Sequence, residues 1–532
     1  MGASTVTLPD VVGVPPALRH VLTDGFLAHA RRRPWATALV HKDSEITYGA
    51  LLHLVTRQRA RVARLPGGEP VGVPAVKRPE TIALVLACLL ERRPVLLPSA
   101  TLGQTALERL YAQAGVRHVL DPDGGSAGTD LSADRPGDRA ADRLGDQTAD
   151  RPGDRPAGPD DGDRPALLLT TSGSTGLPKI VPLGAEAVGS FVRWAAKTFA
   201  MDAGTRVLNY APLNFDLCLL DVWATLASGG QVVLVDPDHA LNGPRLLDLI
   251  DRHRVQIVQG VPMLFQLLAD AARETGAARE TGAVLPRVRD ALFTGDVMPG
   301  PLLARLPELL PGARLHHVYG CTETNDSFVH TVADARAAAG GPLPLGRPLP
   351  GVSALLVTAD GAVLEGPGSG ELLVSTPFQT RGYLGAGAGA SVFVPHPAGD
   401  DSRRYFRSGD LVRRRPDGSL VLEGRSDHQV KVRGVRVNTQ EVEHVLLDHD
   451  EVAEAAVLPV PDPLVGRLLH AVVRRSPGSA LNSLRLRGHL ARRLPRAAIP
   501  SGLRIVDDPL PRTPTGKIDR QHLLSAHFSE ES

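Results

Sequence analysis

Ten residues, Thr170-Thr-Ser-Gly-Ser-Thr-Gly-Leu-Pro-Lys179, have the composition of an anion cradle. Small side chains let backbone N–H groups approach an anion closely, hydroxyls add donors, and Lys179 can neutralise a phosphate. A plain Ser/Gly turn would share the composition, but this one follows the apolar run Leu167-Leu168-Leu169 and ends in lysine. The spacing is not GxxxxGK[ST], which argues against the ordinary nucleotide-kinase loop. Two further segments are candidates for chemistry. Pro514-Thr-Gly-Lys517 offers an ammonium on a short loop, a type that by itself is usually just solvated. Asp216, within Asn214-Phe-Asp-Leu-Cys-Leu-Leu-Asp-Val-Trp223, sits at the head of an apolar run, where it would cap a helix beginning at Leu217.

The elements that must carry these residues alternate between helix and strand. Pro79-Glu80 opens a helix that is apolar all round, hence buried between layers. Short buried strands follow at Pro94 to Leu97, Leu167 to Leu169, Val232 to Val235 and Val255 to Val258, each separated by a helix-length segment. That is the pattern of an α/β protein with parallel sheets covered on both faces. From about Gly124 to Arg164 the pattern stops, and Ala133-Asp-Arg-Pro-Gly-Asp recurs at Ala141 and Ala149 with small changes. These units hold almost nothing apolar, so a flexible surface insertion is expected rather than a solenoid. The repeat Ala-Arg-Glu-Thr-Gly-Ala after Ala271 lengthens one helix–loop connection. Beyond Gly424-Arg425-Ser426-Asp427 the grain changes to short strands flanking an amphipathic helix around Leu484 to Leu494, a small α+β domain. The expected division is therefore residues 1–426 and 427–532.

Composition bounds the possibilities. At 532 residues the chain is too long for one core. With 59 Lys+Arg against 58 Asp+Glu, no global field favours nucleic acid or anionic membrane. Cys88, Cys218 and Cys321 lie far apart, without metal-ligand spacing or a disulfide framework. MGASTVTLPD has no basic-then-apolar secretory pattern, and the longest apolar stretch, Thr81 to Leu90, is too short for a bilayer. A cytoplasmic enzyme is the expectation.

The phosphate loop and six later segments, taken in order, resemble the acyl-adenylate-forming superfamily of acyl-CoA synthetases, luciferases and peptide-synthetase adenylation domains. The later segments are Tyr319-Gly-Cys-Thr-Glu-Thr324, Gly370-Glu-Leu-Leu, Arg381-Gly-Tyr-Leu, Tyr405-Phe-Arg-Ser-Gly-Asp410, Gly424-Arg-Ser-Asp-His-Gln-Val-Lys-Val-Arg-Gly434 and Pro514-Thr-Gly-Lys517. The resemblance covers nearly the whole chain and implies attack of a carboxylate on the α-phosphate of ATP, with pyrophosphate leaving. It implies that Thr171, Ser172, Gly173, Ser174, Thr175, Gly176 and Lys179 hold the leaving phosphates, and that Glu323 holds Mg²⁺ beside Thr322. Gly295, Asp296, His317, Val318, Tyr319 and Gly320 would contribute to ATP binding, with Tyr319 stacked on adenine, while Asp410 and Arg425 take the ribose. Lys517 would bridge carboxylate and phosphate as charge develops. Asp427 would be the hinge about which the small domain turns, bringing the loop at Gly434 to the path of an incoming thiol. Departures occur at Cys321, where proline is commonest, at His317, where asparagine is usual, and at Leu96-Leu-Pro-Ser and Val437-Asn-Thr-Gln-Glu-Val-Glu443. None of them removes a charged catalytic group.

The same resemblance places Asp216 against a substrate ammonium, a charge that needs a carboxylate partner in a partly dry pocket. The other pocket positions would be Leu217, Leu220, Gln259, Leu292, Thr294, Val318, Asp326 and Ser327. That set suits a small aliphatic amino acid. With a second acid at Asp326, it also suits a β-amino acid of the kind loaded for macrolactam-type natural products, or a basic side chain. Fifteen residues follow Lys517, so the expected acceptor is the phosphopantetheine thiol of a discrete carrier protein. The basic run Arg485, Arg487, Arg492, Arg493 and Arg496 is either its dock or simply a solvated face. The rival expectations are an acyl- or aryl-CoA ligase, which has no reason to keep Asp216, and a non-catalytic nucleotide-binding protein.

Overall fold

Residues 79–90 show how the larger part of the chain is built. Proline opens the helix Pro79–Leu90, where its missing N–H costs nothing, and every residue from Thr81 to Leu89 is buried. A helix buried on all sides needs neighbours on all sides, and the computed structural model of the chain supplies them. It describes residues 21–100, 102–124, 129–130, 164–171, 178–275, 284–385, 392–399, 401–425, 429–462, 465–512 and 518–528.

The strands expected at 94–97 and 167–169 are Val95–Leu96 and Pro165–Thr171, neighbours in a six-stranded sheet. Those expected at 232–235 and 255–258 are Gln231–Leu234 and Ile257–Gly260, in a nine-stranded sheet. The middle of the larger sheet is parallel, running through Arg314–Cys321, Asp290–Phe293, Ile257–Gly260, Arg206–Asn209, Gln231–Leu234 and Thr37–His41. Its edges are antiparallel, as is Lys179–Gly184 beside Pro165–Thr171. Both sheets are thus mixed. Periodicity cannot distinguish a parallel from an antiparallel buried strand, so their direction was not legible in the sequence.

An antiparallel five-stranded sheet over Ser353–Val357, Gly368–Ser375, Phe393–Pro395, Arg404–Arg414 and Leu420–Arg425 completes the large part. The sequence reading did not anticipate this sheet. Beyond it, the hairpin Gln429–Val432 and Val435–Asn438 turns through Arg433 (φ 51°) and Gly434 (φ 78°). Two consecutive positive φ values fit the right-handed twist of a two-residue hairpin. The helix Thr439–Leu447 and the strands Val452–Asp462, Gly466–Arg475 and Gly502–Val506 form the smaller part. The amphipathic helix expected there is Ser483–Ala491, capped by Asn482, with Leu486 and Leu490 in the core. Most of the repeat insertion at 124–164 and the second repeat at 276–283 lie outside the described residues.

Candidate active site

The parallel strands of the large sheet end on one side, and the loops leaving those ends line a cleft open to solvent. Open α/β sheets offer a ligand crevice at this place. Thr170 and Thr171 come from the end of Pro165–Thr171, Gln259 from Ile257–Gly260, and Thr294 and Gly295 from the loop after Asp290–Phe293. Gly320, Cys321, Thr322 and Glu323 leave the strand Arg314–Cys321, and Asp326 returns on the strand Asn325–Val332. Lys431, Gly434 and Val435 of the hairpin in the smaller part close the opposite wall.

The Thr171 hydroxyl is buried and finds no hydrogen-bond partner among the described residues. The five residues expected to continue the cradle, Ser172, Gly173, Ser174, Thr175 and Gly176, lie outside the described residues, as do Asp427 and Lys517. Lys179, at the start of the strand Lys179–Gly184, places its ammonium 4.7 Å from the ring centroid of Tyr383. The Tyr383 hydroxyl donates to Glu323 Oε1 at 2.6 Å, and Glu323 itself is 1% exposed.

Asp410 and Arg425 face each other across adjacent strands, 2.5 Å apart. The other Asp410 oxygen accepts the Tyr319 hydroxyl, and the Ser408 hydroxyl accepts the Asp410 N–H at 3.0 Å. Tyr319 is 8% exposed and packs edge-on against Phe328. His317 lies stacked on Phe293 with Nδ1 2.8 Å from the Pro344 carbonyl. A carbonyl can only accept, so Nδ1 carries the proton and Nε2 is left as an acceptor. Burial pushes the His317 pKa down to about 4, which keeps the ring neutral.

Of the expected pocket residues, Asp216, Leu217, Gln259, Thr294 and Asp326 line the cleft. Leu220, Leu292, Val318 and Ser327 are at most 1% exposed and lie in the core rather than on the wall. The Asp216 carboxylate accepts the Thr322 hydroxyl and the Leu217 N–H, so it partly serves the chain turn expected of a cap. The segment after it is a π-helix, Leu219–Ala224, rather than a helix starting at Leu217. Burial raises the Asp216 pKa, the nearby Glu323 adds to the rise, and Lys431 opposes it. Burial, reinforced by the Asp216 charge, lifts Asp326 to about 8.

Several residues at the site carried no expectation. Tyr383 lay within the quoted Arg381-Gly-Tyr-Leu segment, and Lys431 within the segment ending at Gly434. Asp221 is fully buried and binds the side chains of Asn209 and Gln259 at 3.3 and 3.2 Å. Asp296, by contrast, was expected at the ATP site but does not line the cleft; it lies at a second, smaller pocket with Val261, Arg433, Gly434 and Gly466, and Gly434 belongs to both. The expected basic face is partly spent internally. Arg485 pairs with Glu451 at 2.6 Å, and Arg487 donates to the Pro500 carbonyl at 2.9 Å.

Residues 26–384 match the family model described as AMP-binding enzyme, and residues 441–517 match the AMP-binding enzyme C-terminal domain. The chain belongs to the AMP-binding enzyme family and is an AMP-forming ligase. It is 35% identical over 356 residues to an L-proline--[L-prolyl-carrier protein] ligase of Pseudomonas fluorescens, covering 67% of each chain. A Streptomyces coelicolor protein of the same name is 36% identical over 360 residues, which are 67% of this chain and 65% of that one. Among solved structures, the Vibrio cholerae adenylation domain AlmE in complex with glycyl-adenosine-5'-phosphate superposes with a TM-score of 0.77 at 20% identity. That match covers 97% of this chain and 99% of the other, and it bears on the fold alone. Among the described residues, no helix is long and apolar enough to cross a membrane.

Proposed function

We propose that the enzyme activates a small amino acid, α or β, as its aminoacyl-adenylate and passes the aminoacyl group to the phosphopantetheine thiol of a separate carrier protein, in natural-product biosynthesis. The observation that carries this reading is Asp216, a carboxylate on the cleft wall oriented by Thr322 and the Leu217 N–H. A fatty or aryl acid gives such a group no partner, whereas a substrate ammonium does. The names of the two carrier-protein ligase relatives point the same way.

In this reading the substrate carboxylate attacks the α-phosphorus of ATP beside Thr322, and pyrophosphate departs toward Thr171 and Lys179. Asp410 accepts the ribose hydroxyls, held for that task by Arg425 and the Tyr319 hydroxyl. Neutral His317 offers Nε2 to the adenine amino group in place of the usual amide oxygen. Tyr319, buried edge-on, is suited more to fixing Asp410 than to lying open for adenine.

Glu323 fits Mg²⁺, a hard cation that prefers carboxylate, water and phosphate oxygen. No cluster of three ligating side chains occurs among the described residues, so phosphate and water would complete its coordination. Bound there, the metal would neutralise charge on the phosphates. Lys517 stabilises the same developing charge from the carboxylate side.

The Gly434 hairpin at the cleft corresponds to the thiol-accepting arrangement, reached by rotation about Asp427. The pocket beside Asp296 and Val261, which shares Gly434, would be the thiol's approach. The test is ATP–pyrophosphate exchange with amino, fatty and aryl acids, in wild type and Asp216→Ala. Exchange with amino acids, abolished in the variant, is expected. Exchange with a fatty or aryl acid alone would sink the reading.

A further inference from the structure

Asp326 is a carboxyl that simple amino-acid activation leaves without a task. It lines the same cleft as Asp216 but finds no hydrogen bond or ion pair among the described residues; the charged groups it feels, Asp216 and the buried Asp221, are both of like sign. Its position is not a matter of chance flexibility. Asn325, just before it, takes a left-handed backbone (φ 54°) and ties its amide to the Phe378 carbonyl at 2.8 Å. Ser327, just after it, is fully buried and donates to the Asn325 carbonyl at 3.2 Å. A non-glycine residue in that region of backbone space is held there by its surroundings.

The wall between the two acids has one chemical character. The Gln259 amide nitrogen donates to the Leu217 carbonyl at 3.0 Å and to Asp221 Oδ1 at 3.2 Å. Both partners are acceptors, so the assignment of nitrogen and oxygen in this amide is fixed. Its NH₂ is spent, and the atom left over is a carbonyl oxygen. The fully buried Asp221 therefore acts as a positioning residue that turns Gln259 to present an acceptor. Asp216, Gln259 and Asp326 thus form a wall of acceptors in a partly dry cleft, which suits ammonium groups and penalises apolar ones. Lys431 on the opposite wall offsets charge at Asp216 but is not among the charges acting on Asp326, so the second carboxyl still lacks a counter-charge, and an ammonium placed beside it favours its ionised form.

We propose that the amino acid activated here carries a second ammonium on its side chain, a diamino acid, with Asp216 receiving one ammonium and Asp326 with Gln259 the other. This deepens the function proposed above and rests on it. Asp326 is then the residue that selects a cationic side chain over a plain aliphatic one, by leaving a carboxyl unmatched whenever the second ammonium is missing.

The test is pyrophosphate exchange with 2,3-diaminopropionate, 2,4-diaminobutyrate and ornithine against their monoamino isosteres 2-aminobutyrate, norvaline and norleucine, and with β-alanine and 3-aminobutyrate. Wild type, Asp326→Asn and Asp216→Asn are compared. The expected result is a preference for one diamino acid over its isostere, reduced on the order of 100-fold in Asp326→Asn, the usual scale for removing one member of a buried charge pair. The readout is a ratio of two rates on one preparation, which misfolding cannot move because both rates would fall together. Preference for a monoamino α-amino acid, with the ratio unchanged in Asp326→Asn, overturns the proposal and leaves amino-acid activation standing. Preference for a β-amino acid that needs Asp326 and tolerates Asp216→Asn also overturns it, in favour of a displaced single ammonium. No exchange with any amino acid overturns both.

Discussion

The Tyr383 hydroxyl lies 2.6 Å from Glu323 Oε1, and the same ring carries the Lys179 ammonium 4.7 Å from its centroid. One side chain thereby joins the carboxylate assigned to the metal and the lysine assigned to the leaving phosphates. Tyr383 also packs edge-on against Phe393 of the antiparallel sheet, 6.1 Å between ring centres. The antiparallel sheet therefore supports the end of the site assigned to the phosphates.

Replacing Tyr383 by Phe keeps the ring under Lys179 and removes the donor to Glu323. A hydrogen bond to a charged group contributes about 1.5–3 kcal/mol, or roughly 10- to 100-fold. The expected outcome is a loss of that order in pyrophosphate exchange at low Mg²⁺, recovered in part at high Mg²⁺. Titrating Mg²⁺ against exchange rate checks it. An unchanged Mg²⁺ dependence would mean that Tyr383 does not orient the metal carboxylate.

Asp410 has two anchors, Arg425 on one oxygen and Tyr319 on the other. Asp410→Ala leaves a guanidinium that is only 13% exposed facing an empty place. Removing one partner of a buried pair costs about 3–5 kcal/mol. The expectation is a fall in unfolding free energy toward that range in urea, together with a rise in the KM for ATP. Asp410→Asn, which keeps an acceptor, should lose less stability while still raising that KM. Equal KM values for variant and wild type would remove Asp410 from the nucleotide site.

What the sequence could and could not reveal follows from the range of the interactions. The buried helix at Pro79 and the strands at Leu167 and Val232 were legible because burial writes itself into local periodicity. The acid Asp216 was legible through its segment, and it does line the cleft. Leu220, Leu292, Val318 and Ser327 came from the same correspondence but sit in the core, because depth in a wall depends on tertiary packing that no local pattern encodes. Tyr383, Asp221 and Lys431 meet the site from distant stretches of chain. Asp221 in particular reads as one polar residue in an apolar π-helix until its bond to Gln259, 38 residues away, is seen.

Two carboxyls are held far above the ordinary range, and the consequence for stability has a definite sign. Burial lifts both Asp326 and Glu441 to about 8, with the Asp216 charge adding to the first and Lys179 opposing the second. In the unfolded chain both ionise near pH 4. Between about pH 4 and pH 8 the unfolded state therefore binds fewer protons than the native state, and stability falls as pH rises. The melting temperature should drop across pH 5 to 8 by less in Asp326→Asn or Glu441→Gln than in wild type. Thermal melts at three pH values in that window check it, and parallel slopes would contradict the assignment.

In the proposed cycle Gly434 would separate the two half-reactions. Its backbone is left-handed (φ 78°), and a methyl group there would fall 2.1 Å from Val261 Cγ1, across the junction between hairpin and large sheet. No real carbon pair tolerates that distance, so Gly434→Ala must push the hairpin away from Val261 or force the smaller part out of this arrangement. A displacement of about 1 Å at a reacting centre costs on the order of 100-fold. If this arrangement serves the thiol, the variant should form adenylate at a rate within about threefold of wild type and transfer it to thiol on the order of 100-fold more slowly. Pyrophosphate exchange measures the first step, and transfer from pre-formed adenylate to a phosphopantetheine-bearing carrier protein measures the second. Lys517→Ala should give the opposite split, with adenylation suppressed far more than transfer. If both variants lose the two steps equally, the small part does not alternate between the two tasks, and the roles given to Gly434 and Lys517 fall together.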